Sequence, residues 1–549
     1  MTKRERQPTK EAGVIRKRWR GRRSVALVFP DSYGLGMSNL GFQRVYELLN
    51  RHEDIVAERF FFHGNSSDVR SLESNRHPCE FDIILFSISF EPSYLNIGPF
   101  LQAAGLSPLR EERRDGPLVL AGGIACQINP CPAAGFMDAF LLGDFEAVSD
   151  SFIDFLLEVD SLSGKREGRL LRLREMVEGV FMPAFPDIAP VAPAIQRSLL
   201  ETVPHTVIVS NRSSFPNTFL LEVTRGCGRG CRFCAAGFVY RPPRQWPKEV
   251  IQRTISDTRG AKKIGLVGLE YADRGFISTL CQELIERGFQ LGFSSLRADA
   301  ITEEFVNLLV RSKNYTATIA PEAGSERLRR IINKNLTQEQ ILEAARTFFR
   351  SGLKNLKLYF MMGLPFEEDG DVEQIAHLAL KVKEEMLLFA KGRGKMGNIT
   401  VSVSTFVPKA WTPFQWAAFA GPDDLNRRRA ILKERLASQP NIRLRLDSVE
   451  NAMLQAVLSR GDEKIGRLLF ELTQKGYGKR RIVKKISNIA ENYLKRRVEG
   501  EKFPWEVVRH RVRREYLLAQ WNRAKRAETT GFCNLETCRR CGACSKTER

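Results

Sequence analysis

The amino-acid sequence predicts an α/β protein with three structural parts in series. The first is a doubly wound, Rossmann-like sheet, and the second is a partial (β/α)6 barrel of the TIM type. The third is a basic α-helical region that ends in a cysteine-rich tail. Three observations lead to this prediction. Apolar runs of strand length alternate with helical patterns in two stretches, a proline-rich connector separates these stretches, and arginine and lysine become dense beyond residue 423.

The composition of the chain limits the classes of protein to which it can belong. The chain has 549 residues and a net charge of +21, and it contains no run of 18 apolar residues, so no membrane span is expected. Seven of the eleven cysteines fall into two tight groups, which indicates metal sites in a reducing compartment rather than disulfides. We therefore expect a cytoplasmic protein with no membrane association.

The positive charge is concentrated at the two ends of the chain. Residues 1–23 hold 10 basic and 2 acidic side chains, and residues 425–549 hold 31 and 14, whereas the middle is slightly acidic. A basic surface of this kind favours an anionic partner such as RNA. A solvated basic surface that serves solubility is the alternative.

Residues 24–157 are predicted to form the first α/β domain, after a basic leader of residues 1–23. Helical patterns separate its strand candidates, which occupy residues 24–30, 81–87, 118–121 and 139–143. Ligands of doubly wound sheets bind beyond the carboxyl ends of the strands. The candidate binding residues at these ends are Asp31, Tyr33, Gly36, Ser87, Ser89, Gly122 and Gly123.

Residues 158–217 are predicted to be an irregular linker, because they contain small and charged residues and four closely spaced prolines. Strand–helix alternation resumes at residue 218 and continues to residue 422. The predicted barrel strands occupy residues 218–224, 263–269, 291–295, 315–320, 355–360 and 400–406. Six βα units predict a partial barrel with its functional residues at the C-terminal rim.

A loop directly after the first barrel strand carries Cys227, Cys231 and Cys234 in the spacing C-x3-C-x2-C. A four-iron cluster normally has a protein thiolate on every iron, so three thiolates leave one iron open to another ligand. Glycines at positions 226, 228 and 230 allow the backbone to turn tightly around such a cluster. Three unrelated thiols or a zinc loop are the alternatives at this point.

This loop resembles the signature of the radical S-adenosylmethionine (SAM) superfamily, including the aromatic Phe233 before the third cysteine. The resemblance implies a [4Fe–4S] cluster whose open iron binds SAM, which one electron cleaves to methionine and a 5′-deoxyadenosyl radical. The family's Gly-Gly-Glu motif corresponds to Gly268, Leu269 and Glu270, with leucine in place of the second glycine. The further candidate SAM-binding residues at the rim are Ser295, Arg297, Glu322 and Ser325.

The first domain resembles the cobalamin-binding domains that precede many radical SAM barrels. Their first turn, D-x-H-x-x-G, supplies a histidine below the cobalt, whereas this sequence has Tyr33 between Asp31 and Gly36. The resemblance implies cobalamin binding, and a domain that only packs on the barrel is the alternative. Motifs at residues 320–325, 362–365 and 406–416 are similar to barrels of the methylthiotransferase type.

The C-terminal part is predicted to be a basic helical region over residues 423–528 and a metal-binding tail over residues 529–549. The tail contains four cysteines in the spacing C-x4-C-x2-C-x2-C, which suits either an iron–sulfur cluster or zinc. A thiol-bearing tail without metal is the alternative. The predicted ligands are Cys533, Cys538, Cys541 and Cys544.

The combined features predict a radical SAM enzyme that transfers a methyl group from methylcobalamin to an unactivated carbon. The cofactor carries the radical chemistry, and the protein positions SAM and excludes water. An electron donor such as flavodoxin or ferredoxin is expected. The alternatives are methylthiotransferase-like modification of RNA and a non-catalytic protein that binds nucleic acid or metal.

Overall fold

The computed structural model describes residues 9–64, 68–158, 164–186, 189–197, 200–268, 273–293, 295–390, 396–535 and 537–544. Within these ranges the chain forms the mixed α/β architecture that the sequence predicts. No helix in the described ranges is both long enough and apolar enough to cross a bilayer.

The first domain is built on a six-stranded sheet with helices on both faces. Its first five strands are parallel and the last is antiparallel. In spatial order the strands are Ile55–Phe61, Arg23–Phe29, Ile83–Ser87, Leu118–Gly122, Ala139–Leu141 and Val180–Phe181. Apolar side chains cover both faces of this sheet, so its central strands are nearly continuous hydrophobic runs, whereas the edge strand Ile55–Phe61 also contains the buried Glu58 and Arg59.

The helices of this domain pack by their apolar stripes. Leu40–Arg51 buries Phe42, Tyr46 and Leu49 on one face of the sheet, together with apolar residues of Phe145–Leu157. Ile97–Ala103 packs on the opposite face. The sheet is therefore doubly wound, as predicted.

The linker contains more regular structure than its composition suggests. A helix, Arg166–Met176, and the strand Val180–Phe181 lie within residues 158–217, so the prediction of an irregular connector is wrong over this part. Leu170 and Leu173 are three positions apart and both are buried against the first sheet. Only these two apolar residues of the helix are buried, and the charged residues around them obscured its apolar face in the sequence.

The barrel is an open arrangement of parallel strands in two sheets. The three-stranded barrel sheet consists of Gln290–Phe293, Lys263–Val267 and Thr218–Glu222. The four-stranded barrel sheet consists of Thr316–Glu322, Asn355–Met362, Ile399–Thr405 and Ile442–Leu446. Within the described residues, an isolated parallel bridge between Leu296 and Ile319 joins the two sheets. The outer helices are Lys248–Ile255, Arg274–Glu286, Glu303–Arg311, Gln338–Arg350, Asp369–Ala390 and Pro422–Leu436.

The last strand, Ile442–Leu446, lies in the region predicted to be wholly helical. It alternates apolar and arginine residues and pairs in parallel with Ile399–Thr405. The arginines at positions 443 and 445 obscured this edge strand in the sequence. The remaining helices of the region are Val449–Arg460, Glu463–Gln474, Lys479–Leu494 and Arg514–Lys525.

Several tryptophans and tyrosines in this basic region are packing residues. Trp505 and Trp521 are almost fully buried, and the indole N–H of Trp505 donates to Oε1 of Gln415 at 3.2 Å. They anchor the C-terminal helices to the barrel, and their faces are not open for stacking on bases.

Candidate active site

The cysteines of the C-x3-C-x2-C motif lie on a loop that is closed at its base. Residues Thr224–Arg225 pair antiparallel with Arg244–Gln245, so the chain leaves and returns at one point near the end of the first barrel strand. Gly226 has a φ of +87°, and a Cβ there would lie 2.8 Å from the carbonyl oxygen of Tyr240. The tight entry to the loop therefore requires glycine.

Two buried polar side chains hold this loop against the segment that follows the fourth barrel strand. Asn333 donates from Nδ2 to the carbonyl oxygens of Arg229 and Gly230, at 3.2 and 3.1 Å. Arg232 is fully buried, and its guanidinium donates to the carbonyl oxygen of Ile331 at 2.7 Å. Because a buried guanidinium is costly without acceptors, these contacts fix the position of the loop.

The three thiols lie within electrostatic range of one another and of two cations. Burial raises the pKa of Cys231 to about 12, and Lys334 and Arg297 oppose this rise. Burial also raises the pKa of Cys234. Metal binding to these sulfurs releases protons, and the neighbouring cations stabilise the resulting thiolates.

The geometry of the thiols bears on the kind of metal centre. The loop supplies three thiols, whereas a structural zinc site usually has four protein ligands. A zinc ion needs its ligands in a tetrahedron around a single point, whereas a four-iron cluster takes each thiolate on a different iron. The donor set therefore fits a cluster better than a zinc loop.

The predicted rim residues divide into two groups. Glu322 and Arg297 lie near the cysteine loop: Glu322 accepts from Nζ of Lys334 at 3.3 Å, and Arg297 donates to Asp299 and to the carbonyl oxygen of Lys334. Burial raises the pKa of Glu322, and Lys334 opposes this. Ser325 instead caps the helix Glu326–Ile331, so its hydroxyl is used within the fold.

The remaining predicted SAM-binding residues are placed as follows. Phe233 packs against the apolar cluster beneath the loop. Gly268 has a φ of +89°, and a Cβ there would overlap the carbonyl oxygen of Thr224. Ser295 lies immediately before Leu296, which bridges the two barrel sheets. Glu270, together with Leu269, lies outside the described residues.

A cavity of about 980 Å³ separates the carboxyl ends of the six-stranded sheet of the first domain from the three-stranded sheet of the barrel. Ser87, Ser89, Gly122 and Gly123 line it on one side, and Gly226 and Gly268 line it on the other. Asn39 begins a helix at the cavity wall and donates from Nδ2 to Oγ of Ser89 at 2.8 Å.

The first turn of the N-terminal domain does not reach this cavity. Asp31, Tyr33 and Gly36 are absent from its described lining. The hydroxyl of Tyr33 donates to Oε1 of Glu11 at 2.6 Å and lies 2.7 Å from Oγ of Ser210. Gly36 packs so closely on Phe61 that a Cβ would overlap its ring. The sequence prediction thus located the strand ends correctly at Ser87 and Gly122, but the first turn has a packing role here.

A buried ion-pair network at the wall of the cavity is not apparent from the sequence. Arg225 contacts Asp144, Glu146 and Glu222 at 2.8, 3.0 and 2.9 Å, and Arg244 also pairs with Asp144. Although burial opposes the charge of Arg225, its three carboxylate partners raise its pKa well above the usual value. The network joins the first domain to the barrel next to Cys227. Arg225 lies two residues before Cys227, and this position was the sequence signal of a functional role. The sequence does not show which carboxylates Arg225 contacts.

The C-terminal tail docks directly on the cysteine loop. The backbone N–H of Cys533 donates to the carbonyl oxygen of Gly228 at 2.9 Å, and that of Thr530 donates to Oδ1 of Asn333 at 2.7 Å. Cys533 also interacts electrostatically with Cys538, Cys541 and Cys544, so the four thiols gather at one place. The two cysteine groups are therefore neighbours in the fold, although about 300 residues separate them in sequence.

We expect the double variant Cys538→Ala/Cys541→Ala to lose the metal of the tail and to keep the barrel cluster, because the two sites draw on different thiolates. Iron and zinc analysis after anaerobic reconstitution measures the first effect, and the EPR signal of the reduced barrel cluster measures the second. Cys79→Ala, which removes an exposed thiol, should change neither. Disappearance of the EPR signal in the double variant would contradict the separation of the sites.

Comparisons with known proteins agree with this architecture. The family model described as radical SAM proteins, N-terminal, matches residues 41–183, and the radical SAM superfamily model matches residues 221–379. The uncharacterized protein MJ0966 of Methanocaldococcus jannaschii is 28% identical over 455 residues, which cover 81% of this chain and 90% of that protein.

More distant similarities extend to named proteins. The uncharacterized methyltransferase PH0819 of Pyrococcus horikoshii is 21% identical over 345 residues, which cover 57% of this chain and 70% of that protein. A solved structure of the radical SAM methyltransferase TsrM from Kitasatospora setae is 11% identical and covers 72% of this chain and 77% of its own, with a TM-score of 0.47.

The two family models fall on the two α/β units described above, and the superfamily model includes the cysteine loop on the first barrel strand. The family uses a [4Fe–4S] cluster and SAM. This chain belongs to the radical SAM superfamily, in the branch with a separate N-terminal domain, and it is a radical SAM enzyme.

Proposed function

We propose that the protein is a cobalamin-binding radical SAM methyltransferase that methylates an unactivated carbon. One observation carries this function: the carboxyl ends of the six-stranded sheet and the barrel strands that flank the cysteine loop line one large cavity. Cobalamin, when bound, supplies a transferable methyl group, and SAM cleavage supplies the radical that removes a hydrogen from the substrate. Both have to reach the same carbon, which requires a common space. The name of the relative PH0819 is in line with this assignment.

The lining of the cavity suits a large cofactor. Its volume of about 980 Å³ lies at the upper end of ordinary ligand sites. Ser87 and Ser89 supply hydroxyl groups and Gly122 and Gly123 supply backbone close to the ligand. None of the described residues that line the cavity is a histidine, so the cobalt would be held without an imidazole ligand from this wall.

The residues around the cysteine loop suit SAM. Cys227, Cys231 and Cys234 would hold the cluster and leave one iron for the amino and carboxylate groups of SAM. Lys334 and Arg297 lie close enough to the thiols to affect their pKa and would attract the carboxylate. Glu322 would accept hydrogen bonds from SAM, a role that the sequence also assigns to Glu270.

We also infer a second metal centre at the four tail cysteines, with iron–sulfur favoured over zinc. The gathering of these thiols next to the loop of the first cluster supports this inference. A small electron donor such as flavodoxin or ferredoxin would reduce the barrel cluster.

Modification of RNA like that of the methylthiotransferases is the second candidate, and the positions of three other thiols disfavour it. Such enzymes carry another three-cysteine set in the N-terminal domain. Here Sγ of Cys126 lies 3.5 Å from the carbonyl oxygen of Gly122, and Sγ of Cys131 lies 3.0 Å from that of Pro504. Cys79 is exposed and contacts His77. A non-catalytic binding protein does not fit a superfamily member with an intact cysteine triad.

We expect hydroxocobalamin to remain with the reconstituted protein on gel filtration and to lack the spectrum of a histidine-ligated cobalt, because no histidine lines the described cavity wall. Ser87→Leu should prevent retention by adding bulk at a buried strand end, whereas Ser87→Ala should permit it. Substitutions at Gly123 are less informative, because a Cβ there would lie 2.5 Å from the carbonyl oxygen of Ile88 and would disturb the turn itself.

The products formed from SAM provide the second part of this test. With SAM, a reductant and the substrate, a methyltransferase of this kind releases both 5′-deoxyadenosine and S-adenosylhomocysteine. Absence of cobalamin retention, together with 5′-deoxyadenosine as the sole SAM product, would rule out the methyl-transfer assignment and leave the radical SAM assignment intact.

A further inference from the structure

A second cavity of about 420 Å³ lies behind the ion-pair network, on the side away from the large cavity. Four parts of the chain meet around it: the segments after the strands of the six-stranded sheet, the linker, the segment after the cysteine loop, and residues 509–511. Gln127, Asp144 and Tyr240 line both cavities, so the two chambers share a wall.

The lining of this cavity is strongly basic. It includes two carboxylates, Asp144 and Glu178. Five arginines face them: Arg197, Arg241, Arg244, Arg509 and Arg511. Asp144 is paired with Arg244 of this lining and with Arg225 beyond it, so its charge is compensated within the ion-pair network.

The nearby histidine adds no charge at neutral pH. His510 is buried and lies 2.8 Å from the carbonyl oxygen of Gln127, and burial lowers its pKa to about 4. The arginines therefore supply the positive charge of the site. Nε of Arg244 is buried and has no hydrogen-bond partner in the described structure. A buried guanidinium donor of this kind is costly until an acceptor occupies the site.

We propose that this cavity binds the phosphate ester of a nucleotide or polynucleotide. Arginine forks match phosphate oxygens in pairs and form the stronger, charge-assisted hydrogen bonds. A cavity needs only about 10–15 Å³ to hold one water, so 420 Å³ accommodates an ester with its sugar rather than a lone ion. This binding is independent of the methyl-transfer chemistry proposed above.

Isothermal titration calorimetry on the reconstituted protein tests the site with three probes: uridine 5′-monophosphate, a short oligouridylate and uridine. We expect a phosphate-bearing probe to bind at low salt and uridine not to bind. Binding of the monophosphate indicates a small nucleotide ligand, whereas binding of the oligouridylate alone indicates an RNA backbone. Affinity should fall as salt rises, because arginine–phosphate contacts release counterions.

The double variant Arg509→Gln/Arg511→Gln should weaken binding at least about tenfold, since each charge-assisted hydrogen bond contributes that much or more. Arg480→Gln is the matched control, because it removes an exposed arginine of the same basic region that does not line the cavity. Circular dichroism and iron content verify that the variants fold. Absence of binding by both phosphate probes, equal binding of uridine, or wild-type affinity in the double variant would overturn the proposal.

Discussion

Cys227→Ala, Cys231→Ala and Cys234→Ala should each abolish reductive cleavage of SAM, which is the largest effect expected in this protein. The loop supplies three thiolates, and one iron is reserved for SAM, so no thiolate is to spare. Anaerobic single-turnover assays with dithionite measure the 5′-deoxyadenosine formed.

The controls separate loss of the cluster from loss of the fold. Cys79→Ala removes an exposed thiol and Cys281→Ala removes a buried thiol of the helix Arg274–Glu286, and both should retain cleavage. The loop itself is held by Asn333 and Arg232, which no cysteine variant removes. Wild-type amounts of 5′-deoxyadenosine from any one of the three triad variants would refute the ligand assignment.

Arg225→Met should produce the largest loss of stability. It leaves Asp144, Glu146 and Glu222 without their shared cation in a buried site. Removal of one partner from a buried ion pair typically costs about 3–5 kcal/mol. Urea unfolding followed by circular dichroism should show a lower midpoint for the variant at neutral pH. Arg225→Lys is the matched control, because it keeps the charge but not the paired hydrogen bonds, and we expect an intermediate midpoint.

The pH dependence of this variant provides an independent readout. In the native protein burial favours the neutral form of Asp144, but Arg225 and Arg244 lower its pKa, so this pairing contributes stability that is lost as pH falls. Burial raises the pKa of Glu222 and Arg225 opposes this rise, so loss of Arg225 should raise this pKa further, and protonation of Glu222 at lower pH then restores part of the stability of the variant. The difference in midpoint between native protein and variant should therefore narrow from about pH 8 to about pH 5. A difference that is constant over this range would contradict the role of Arg225.

Local sequence patterns were sufficient wherever the chemistry depends on neighbouring residues. The spacing of Cys227, Cys231 and Cys234, with glycines between them, predicted a cluster loop, and the loop lies at the end of the first barrel strand. The strand ends at Ser87 and Gly122 were predicted from apolar runs alone, and both line the large cavity. A buried strand or a cysteine motif is encoded by consecutive residues, so its signal survives without tertiary contacts.

Patterns with few apolar residues were less informative. The helix Arg166–Met176 and the edge strand Ile442–Leu446 carry many charges on their exposed sides, and the sequence predicted neither. The similarity of the first turn to D-x-H-x-x-G suggested a binding role for Tyr33. The hydroxyl of Tyr33 instead contacts Glu11 and Ser210, two residues that are distant from Tyr33 in the sequence. A motif shows which residues are adjacent in the chain, but not which distant residues they contact.

By itself the sequence determined the superfamily, the order of the two α/β units and the basic ends of the chain, and it predicts the cluster ligands. Only the tertiary structure decided that the tail at Cys533 packs on Gly228, that Arg225 joins the two units through Asp144, and that two cavities share the wall between them. These features arise between residues tens to hundreds of positions apart. Such contacts form when the hydrophobic faces of strands and helices are buried together, and that packing depends on the whole chain at once.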